Sequence, residues 1–474
     1  MALMVYPKQL FSCLRDRIQR AMFRRRSAKG PVHLIFMFAD HFEPVNDLER
    51  VEKWVSAYEE QVRGHQDSDG VAPQHTWFYP CEQLHPGILN RLSRAAFDGL
   101  GEVELHLHHE NDTSDGLRLR LESAVATYSK NGAFIGLDNA VPRYGFVHGN
   151  YALCNSLNRN GRNFCGVNGE LAILKETGCY ADFTFPSLMV ETEPYLINSI
   201  YYAKGDPHRP KSYNKGIHAR SGAKGAGDLM LIEGPFMIDW RRRKFGIFPY
   251  IEYSDIACYL PPSKRRIPLW VKAGVGIIGR PEWLFIKVHG HGANRKNMPV
   301  VLSREMSDLY TCLETEYNDG CRYMLHYVTA REAFNIIRAA EDGKDGNPAL
   351  YRDYEIGKPL NRLLYSPAPY ELGRGRNGIV LKFNGESEIR ICRARINARI
   401  AGSVSTLELS SDDPAALRLG LSGEAVATSN SRINLTGDIH VRESFNDGIF
   451  EYKLRGPTKN MQIMSARGES GDKQ

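Results

Sequence analysis

The chain lacks long apolar runs and lacks the pattern of a secretory leader. Its 474 residues contain no uncharged apolar window of about 20 residues, so no membrane-spanning helix is predicted. Lys8, Arg15 and Arg17 interrupt the apolar residues near the start, so a signal peptide is not predicted either. We therefore expect a protein of the cytoplasm.

Paired cysteines and long basic stripes are also missing. The nine cysteines are scattered, odd in number and never spaced as Cys-x-x-Cys. This favours reduced thiols, with Cys154 and Cys165 either reactive or simply small buried apolar residues. The net charge is only +6, and outside the first 30 residues no basic stripe is long enough to predict nucleic-acid binding.

Much of the positive charge lies in the first 30 residues. Apolar residues there recur at helical spacing opposite a set of arginines: Arg15, Arg17, Arg20, Arg24, Arg25 and Arg26. The pattern predicts a basic helix over 1–30. Such a helix either packs against the rest of the protein, which is the expected arrangement, or makes peripheral contact with the inner membrane surface.

Short apolar segments alternate with amphipathic segments over residues 31–356. Strands are predicted at 32–38, 76–79, 102–107, 143–148, 179–184, 283–289 and 323–327. Helices are predicted at 47–63, 86–99, 115–130, 170–178, 302–318 and 329–342. Repeated strand-then-helix order predicts an α/β fold with a parallel sheet or barrel.

Two regions depart from this rhythm. Residues 196–282 are rich in Gly, Pro, Lys and Arg, and predict an irregular insertion. From residue 357, apolar and polar residues alternate between turn sequences, which predicts a small antiparallel, β-sandwich-like domain over 357–464. The polar tail, 465–474, is predicted to be disordered.

Residues 104–112 pack three histidines and three carboxylates into nine positions. His106 and His108 share one face of the predicted strand, because side chains alternate along a strand. Asp112 lies one helical turn beyond His108, and Asp40 follows another predicted strand. A hydrolytic metal site needs about three protein ligands and an open position for water. The candidate ligands are Asp40, His106, His108 and Asp112.

Other polar residues follow further predicted strands. His289 and His291 flank a glycine, and an imidazole at such a strand end suits a general acid that protonates a leaving group. Arg143 would orient an acid or bind a substrate carboxylate. His148 and Asn150 would line a sugar pocket.

The order and spacing of these motifs resemble the polysaccharide deacetylase (NodB-homology, carbohydrate esterase family 4) superfamily, over roughly residues 30–340. Phe36-Met-Phe-Ala-Asp-His41 is similar to the family's Thr-Phe-Asp-Asp-Gly, with Asp40 at the metal-binding Asp. The segment 104–112 matches the spacing of Glu-Ile-Gly-x-His-x-x-x-His, with Asp112 at the second His. The remaining similarities are Arg143 to a motif Arg, 177–184 to Gly-Phe-x-x-Asp-Ser-Ser, and Lys287-Val-His289 to Leu-x-His.

The resemblance implies a distorted (β/α) barrel-like domain of about seven strands. It also implies a metal-dependent hydrolase of carbon–nitrogen bonds, which removes N-acetyl or similar groups from an amino-sugar glycan or its lipid-linked precursor. The implied divalent ion is Zn²⁺, held by Asp40, His108 and Asp112, or by His106 or His109 in another register. His289 or His291 would protonate the departing amine. The implied substrate contacts include Tyr144, Phe146, Tyr151, Asp182 and Trp283.

The sequence departs from the family at its catalytic base. Ala39 stands where the family has an acid, so His41 or Glu43 would have to take that role. Two alternatives to a deacetylase therefore stay open. One is a different carbohydrate-active or amide hydrolase on the same scaffold, and the other is a catalytically degenerate glycan-binding protein.

Overall fold

The structure is a computed structural model of the full chain. It describes residues 30–137, 141–188, 191–244, 246–368, 370–374, 378–393, 396–410, 413, 416–437, 440–456 and 458–465. The predicted basic helix over 1–30 and the predicted disordered tail over 465–474 lie outside these residues, apart from Gly30 and Ser465. Among the described residues, no helix is long and apolar enough to cross a membrane.

The chain forms two compact units. Of the described residues, the first unit comprises 30–95, Leu100–Val125 and Arg143–Ile356. The second comprises Ala96–Gly99, the described part of Ala126–Pro142, and residues from Gly357 onward. Every functional side chain discussed below belongs to the first unit.

The helices of the chain are α1 (Leu48–Val62), α2 (Pro86–Phe97), α3 (Ser114–Ser129), α4 (Glu170–Glu176), α5 (Ile267–Ala273), α6 (Met298–Val301), α7 (Arg304–Glu316) and α8 (Ala330–Glu341). Among them, α1 and α8 begin at side-chain caps that are visible in the sequence. Asp47 accepts a hydrogen bond from the backbone N–H of Arg50, and Thr329 forms a capping box with Glu332.

The strands of the first unit are β1 (Val32–His41), β2 (His75–Pro80), β3 (Gly101–Leu107), β4 (Tyr144–His148), β5 (Asn158–Arg159), β6 (Arg162–Asn163), β7 (Cys179–Asp182), β8 (Ile200–Ala203), β9 (Gly216–His218), β10 (Leu229–Ile232), β11 (Met237–Lys244), β12 (Phe248–Glu252), β13 (Asp255–Ile256), β14 (Gly276–Ile277), β15 (Arg280–Gly290) and β16 (Tyr323–Tyr327). One sheet contains most of them, in the order β13-β15-β1-β2-β3-β4-β7-β10-β8-β9, with β14 on β15 and β16 on β1.

The centre of this sheet is parallel and buried. All pairings from β15 through β1, β2, β3, β4 and β7 to β10 are parallel. In β1, every residue after Val32 is buried, which is typical of a parallel strand covered on both faces. Neighbouring parallel strands end at the same edge, so polar residues that follow β1, β2, β3 and β15 are brought together there.

The expected closed barrel of strand ladders is not found in the described part of the chain, although an isolated parallel bridge between Arg220 and Ile278 connects the segment after β9 to the segment after β14. The strand path runs from β13 to β9, and no ladder joins those two strands. The insertion 196–282 explains this difference, because it supplies both edges: β13 on one side, and the antiparallel strands β8 and β9 on the other. It also contributes β10, a parallel strand inside a region expected to be irregular.

The strands of the second unit are β17 (Leu364–Tyr365), β18 (Tyr370–Arg374), β19 (Gly378–Phe383), β20 (Ser387–Arg393), β21 (Ile396–Ser410), β22 (Ala416–Ser429), β23 (Ile433–Thr436), β24 (His440–Asn446), β25 (Ile449–Arg455) and β26 (Thr458–Ser465). All their pairings are antiparallel. Alternate residues, such as Ile389, Ile391 and Leu407, form one apolar core. This is a mixed α/β protein with a separate antiparallel β domain.

Candidate metal centre

The carboxyl ends of β1, β2 and β3 gather a group of histidines and carboxylates on one face of the sheet. Phe78 pairs with both His41 and Glu104, and Pro80 pairs with His106. Because alternate residues of a strand share a face, His41 and His106 lie on the same side. His108 follows β3, and Glu43 follows β1.

One carboxylate oxygen of Glu43 lies close to ring nitrogens of both His106 and His108. Glu43 Oε1 lies 3.2 Å from His106 Nε2 and 3.1 Å from His108 Nε2. The far ring nitrogens are both occupied, since His106 Nδ1 lies 2.8 Å from the backbone oxygen of Val147 and His108 Nδ1 lies 2.6 Å from Glu82 Oε1. This is the outer-shell arrangement that fixes metal-binding imidazoles, because a proton on Nδ1 leaves Nε2 free to donate a lone pair.

The position of the proton on the His106 ring bears on what lies between His106 Nε2 and Glu43. The oxygen of Val147 can only accept a hydrogen bond, so Nδ1 of His106 carries a proton. In the neutral ring, the lone pair of Nε2 then faces the carboxylate of Glu43, which is unfavourable unless a second proton or a metal cation lies between them. The three residues can hold a metal ion, and their atoms meet the distance expected of a ligand group.

The electrostatics of the group are those of a site that attracts positive charge. Burial opposes ionisation of Glu43, but its hydrogen bonds with His106 and His108 outweigh burial and hold its pKa well below the usual range. Burial likewise opposes charging of His108, but hydrogen bonds with Glu43 and Glu82 raise its pKa to about 9. Without a metal, a proton on His108 neutralises part of the carboxylate charge.

Three further histidines surround the group. The ring of His41 lies 5.2 Å from that of His106 and 4.7 Å from that of His291, measured between centroids. His291 Nε2 is 3.9 Å from Glu43 Oε2, and the side chain of His291 is 31% exposed, so it marks the side open to solvent. His289 is buried, and neither of its ring nitrogens has a hydrogen-bond partner. Burial depresses the pKa of both His41 and His289, which keeps them neutral.

Asp40 lies on the opposite face of β1, and the structure does not bring it to His106 and His108. Its Oδ2 accepts a hydrogen bond from His75 Nε2 at 2.9 Å, and its Oδ1 accepts one from the backbone N–H of Gly292 at 2.6 Å. A Cβ at position 292 would overlap the Asp40 carboxylate, so glycine is required for this contact. Asp40 therefore anchors the loop that carries His291.

Asp112 is also placed apart from Glu43, His106 and His108, which we call the Glu43 group. Its Oδ1 accepts a hydrogen bond from the backbone N–H of Thr113, and its Oδ2 lies 3.4 Å from His109 Nδ1. His109 in turn belongs with His148, Cys165 and Glu170, a second set of ligand-type side chains in which all four are buried. The predicted sugar-pocket residue His148 is thus buried beside Glu170, while Asn150 is exposed with a positive φ of 56°.

The other predicted site residues lie farther from the group. Arg143 and Tyr144 are at the start of β4, away from the carboxyl edge. Arg143 pairs with Glu355 at 3.5 Å, and the hydroxyl of Tyr144 contacts Thr177 at 2.7 Å. Asp182 is buried at the end of β7, where burial raises its pKa to about 7.

Sequence reasoning missed Glu82 as a partner of His108 and considered Glu43 only as a base. Glu82 lies in a short 3-10 turn, Cys81–Gln83, directly after β2. Its position after a predicted strand was the available signal, because the carboxyl ends of parallel strands share one edge.

A third ligand-type set is formed by Asp67, Asp69 and His326. Here an arginine already supplies the positive charge. Arg352 Nη2 lies 3.0 Å from Asp67 Oδ2 and 3.4 Å from Asp69 Oδ2, and His326 Nδ1 lies 2.6 Å from Asp69 Oδ2. This set is therefore an ion-pair network of the fold.

Comparisons with known proteins do not assign a family. No family model matches the chain, and no curated protein matches it. Among solved structures, the chain was aligned with the catalytic module of a family 98 glycoside hydrolase from Streptococcus pneumoniae TIGR4, in complex with the LewisY pentasaccharide blood group antigen. The identity is 10% over 92% of this chain and 84% of that chain, with a TM-score of 0.17. A score of this size leaves both fold and function unassigned.

Proposed function

We propose that this chain is a metal-dependent hydrolase that removes N-acetyl or similar acyl groups from an amino-sugar glycan or its lipid-linked precursor. The observation that carries the proposal is the convergence of Glu43 Oε1 on the Nε2 atoms of His106 and His108, at 3.2 and 3.1 Å. Two imidazoles and one carboxylate are a typical set of three protein ligands for a catalytic zinc ion, and the side open to solvent leaves a fourth position for water.

The donor distances fit Zn²⁺. A tetrahedral ion with bonds of about 2.0–2.1 Å holds its ligand atoms roughly 3.4 Å apart, near the distances of Glu43 from the two histidines. When bound, such an ion would polarise the acyl carbonyl and lower the pKa of water. Glu43, His106 and His108 would hold it, while Val147 and Glu82 would fix the two rings.

The surrounding histidines supply the proton transfers. Burial depresses the pKa of His41 and favours its neutral form, and its Nε2 is buried without a hydrogen-bond partner; in this proposal that nitrogen accepts a proton from the attacking water. His291, at the exposed side, would donate a proton to the departing amine. In this assignment Glu43 is the metal carboxylate, and Asp40 orients the loop of His291 through Gly292.

The resemblance to polysaccharide deacetylases supports the choice of an acylated amino sugar, and it extends to the fold. We propose that the parallel sheet is a distorted, opened form of that family's barrel. The peripheral membrane contact of residues 1–30 belongs to the same proposal, since a lipid-linked precursor would present its sugar at a membrane surface.

The test compares Asp40, which the family pattern predicts as a metal ligand, with Glu43, which the geometry favours as a metal ligand. We would reconstitute the full chain with Zn²⁺, count the bound ions by mass spectrometry, and measure acetate release from oligomers of N-acetylglucosamine. Glu43→Gln and His106→Ala should each lose one ion per chain and the acetate release. Asp40→Asn, which keeps an acceptor for the N–H of Gly292, should retain both.

Three outcomes would contradict the proposal. If Asp40→Asn loses the ion and Glu43→Gln keeps it, the family register is right and the assignment of Glu43 is wrong. If the ion is bound but no acetate is released, a different hydrolase reaction must be sought. If the chain binds glycan and no metal, it is a degenerate binding protein.

A further inference from the structure

The ends of β3 and β4 gather a second set of ligand-type side chains on the other face of the sheet. His106 pairs with Val147, whereas Leu107 pairs with His148. Because side chains alternate, His148 points away from the face that carries His106. Beside it lie His109, from the loop after β3, Cys165, from the loop after β6, and Glu170, the first residue of α4.

We infer that this chain holds a second metal ion, a structural Zn²⁺ bound by His109, His148, Cys165 and Glu170. Glu170 Oε1 lies 3.2 Å from His109 Nε2 and 3.4 Å from His148 Nε2. Cys165 Sγ lies 3.5 Å from the other oxygen of Glu170, and one ligand atom from each residue fits within 4.8 Å of the others. The two separations between nitrogen and Glu170 Oε1 are close to the edge of a zinc tetrahedron, roughly 3.4 Å.

The imidazoles are oriented as metal ligands. His148 Nδ1 donates to the backbone oxygen of Gly149 at 2.6 Å, so Nε2 carries the lone pair. This Nε2 is buried, faces Glu170 and has no hydrogen-bond partner. His109 Nδ1 lies 3.4 Å from Asp112 Oδ2, but neither atom has a hydrogen-bond partner, so this carboxylate lies near the ring without fixing its tautomer. An orphaned buried nitrogen is costly, and a cation at its lone pair removes that cost.

The sulfur of Cys165 lies near two oxygen atoms and two backbone donors. The backbone oxygen of Val167 and Glu170 Oε2 are each 3.5 Å away, and burial and Glu170 raise the pKa of the thiol, so a thiolate here requires the bound cation. The backbone N–H groups of Asn155 and Val167 both point at Sγ, at 3.2 and 3.4 Å. Donors of this kind stabilise negative charge on sulfur. Gly166 lies between Cys165 and Val167 in the chain. It has a φ of 100°, and a Cβ there would lie 2.5 Å from the backbone of Asp112. The turn therefore requires glycine, and it holds Cys165 against Glu170.

Burial and charge distinguish this site from the Glu43 group. All four side chains are buried, so four protein ligands close the site and leave no position for substrate. One thiolate and one carboxylate would balance the two charges of the ion. A thiolate with two imidazoles selects zinc over Mg²⁺ or Ca²⁺, which prefer oxygen ligands.

The ion would fix a segment that reaches the Glu43 group. Residues 149–169 connect β4 to α4, and the ligands His148, Cys165 and Glu170 lie at or near the ends of that segment. Tyr151, within it, places its ring 5.5 Å from that of His41. The second ion is thus a positioning element for the loop that carries Tyr151.

Cobalt substitution tests this inference, because only the second site contains sulfur. The full chain would be loaded with Co²⁺, and its absorption would be recorded. We expect about two ions per chain, with a thiolate-to-cobalt charge-transfer band and the visible bands of tetrahedral Co²⁺. Cys165→Ser should lose that band and one ion. The matched control Cys179→Ser, at another buried cysteine on β7, should keep both.

The outcomes separate this inference from the proposed hydrolase. His106→Ala should lose the ion of the Glu43 group and keep the charge-transfer band, which would persist even if the catalytic proposal failed. The inference is overturned if the wild-type chain shows no thiolate band, or if the band survives in Cys165→Ser. Should Cys165→Ser fail to fold, the wild-type spectrum and ion count still decide, since a His–Glu hydrogen-bond network without metal gives neither signal.

Discussion

His108 and His109 are consecutive in the chain, yet their imidazoles enter two different ligand groups. His108 Nε2 lies 3.1 Å from Glu43 Oε1, and His109 Nε2 lies 3.2 Å from Glu170 Oε1. They follow β3 directly, where neighbouring side chains still point to opposite sides of the sheet. One strand end therefore serves two groups that differ in exposure and in donor chemistry.

Glu82 should tune metal affinity through His108. Its Oε1 lies 2.6 Å from His108 Nδ1, so Glu82→Gln would remove the carboxylate that orients the ring and increases its basicity. We expect the affinity of the Glu43 group for Zn²⁺ to fall about 10–100-fold, measured by competition with a chelator. Glu52→Gln, which alters a surface pair with Arg91, is the control and should leave affinity unchanged. Equal affinities in the two variants would contradict the role of Glu82.

His291 should act in proton transfer and not in metal binding. His291→Asn keeps a polar side chain at the exposed rim but cannot donate a proton to a leaving amine. We expect kcat to fall roughly 10²-fold or more, with the number of bound ions unchanged. His208→Asn, at an exposed histidine, should change neither quantity. A loss of metal in His291→Asn would show instead that His291 is a ligand.

Gly149 should be needed for the position of His108. A Cβ at residue 149 would overlap the His108 ring, so Gly149→Ala must displace either the ring or the backbone. Zinc affinity should then fall by about tenfold or more, as measured by chelator competition. Gly373→Ala provides the comparison, because a Cβ there meets its nearest atom at 3.5 Å. Unchanged affinity in Gly149→Ala would mean that the loop moves freely.

Glu104 should make the first unit less stable as pH rises. Burial raises the pKa of its carboxyl from 4.5 to about 8. Between these values the unfolded chain loses the proton while the folded chain keeps it, so stability is highest below about 4.5 and falls up to about 8. The slope is at most about 1.4 kcal/mol per pH unit.

Urea denaturation across that pH range would measure the slope. Glu104→Gln keeps a neutral side chain beside Tyr180 and the N–H of Gly145, and it should flatten the profile. Glu122→Gln, on the exposed side of α3, should leave the profile as it is. A wild-type profile that is already flat, or one that Glu104→Gln leaves sloping, would mean that Glu104 is ionised in the fold.

Much of the first unit could be predicted because its strands and helices carry strong patterns. The strand predicted at 323–327 is observed at Tyr323–Tyr327, and the helix predicted at 47–63 is observed at Leu48–Val62. Leu229–Ile232 was missed, since four apolar residues between glycine-rich segments do not distinguish a strand from a loop. The edges of the sheet depend on which strands residues 196–282 pair with. Local sequence patterns do not contain that information.

The Glu43 group was only partly predictable for a related reason. Alternation along β3 correctly places His106 on the face that His108 also reaches. Asp40 was predicted as a ligand from its position after a strand and from its similarity to a motif, but β1 continues to His41, and alternation turns Asp40 to the other face. Glu43 lies beyond the end of β1, where alternation no longer determines direction.

The Glu43 group is also a local assembly in terms of synthesis and folding. Glu43, Glu82 and His108 follow β1, β2 and β3, which are consecutive in the chain and adjacent in the sheet. His291, which follows β15, is synthesised only after a long further stretch of polypeptide. The three donor residues are therefore synthesised well before the proton donor, so an ion captured early would be enclosed by strands that are added later.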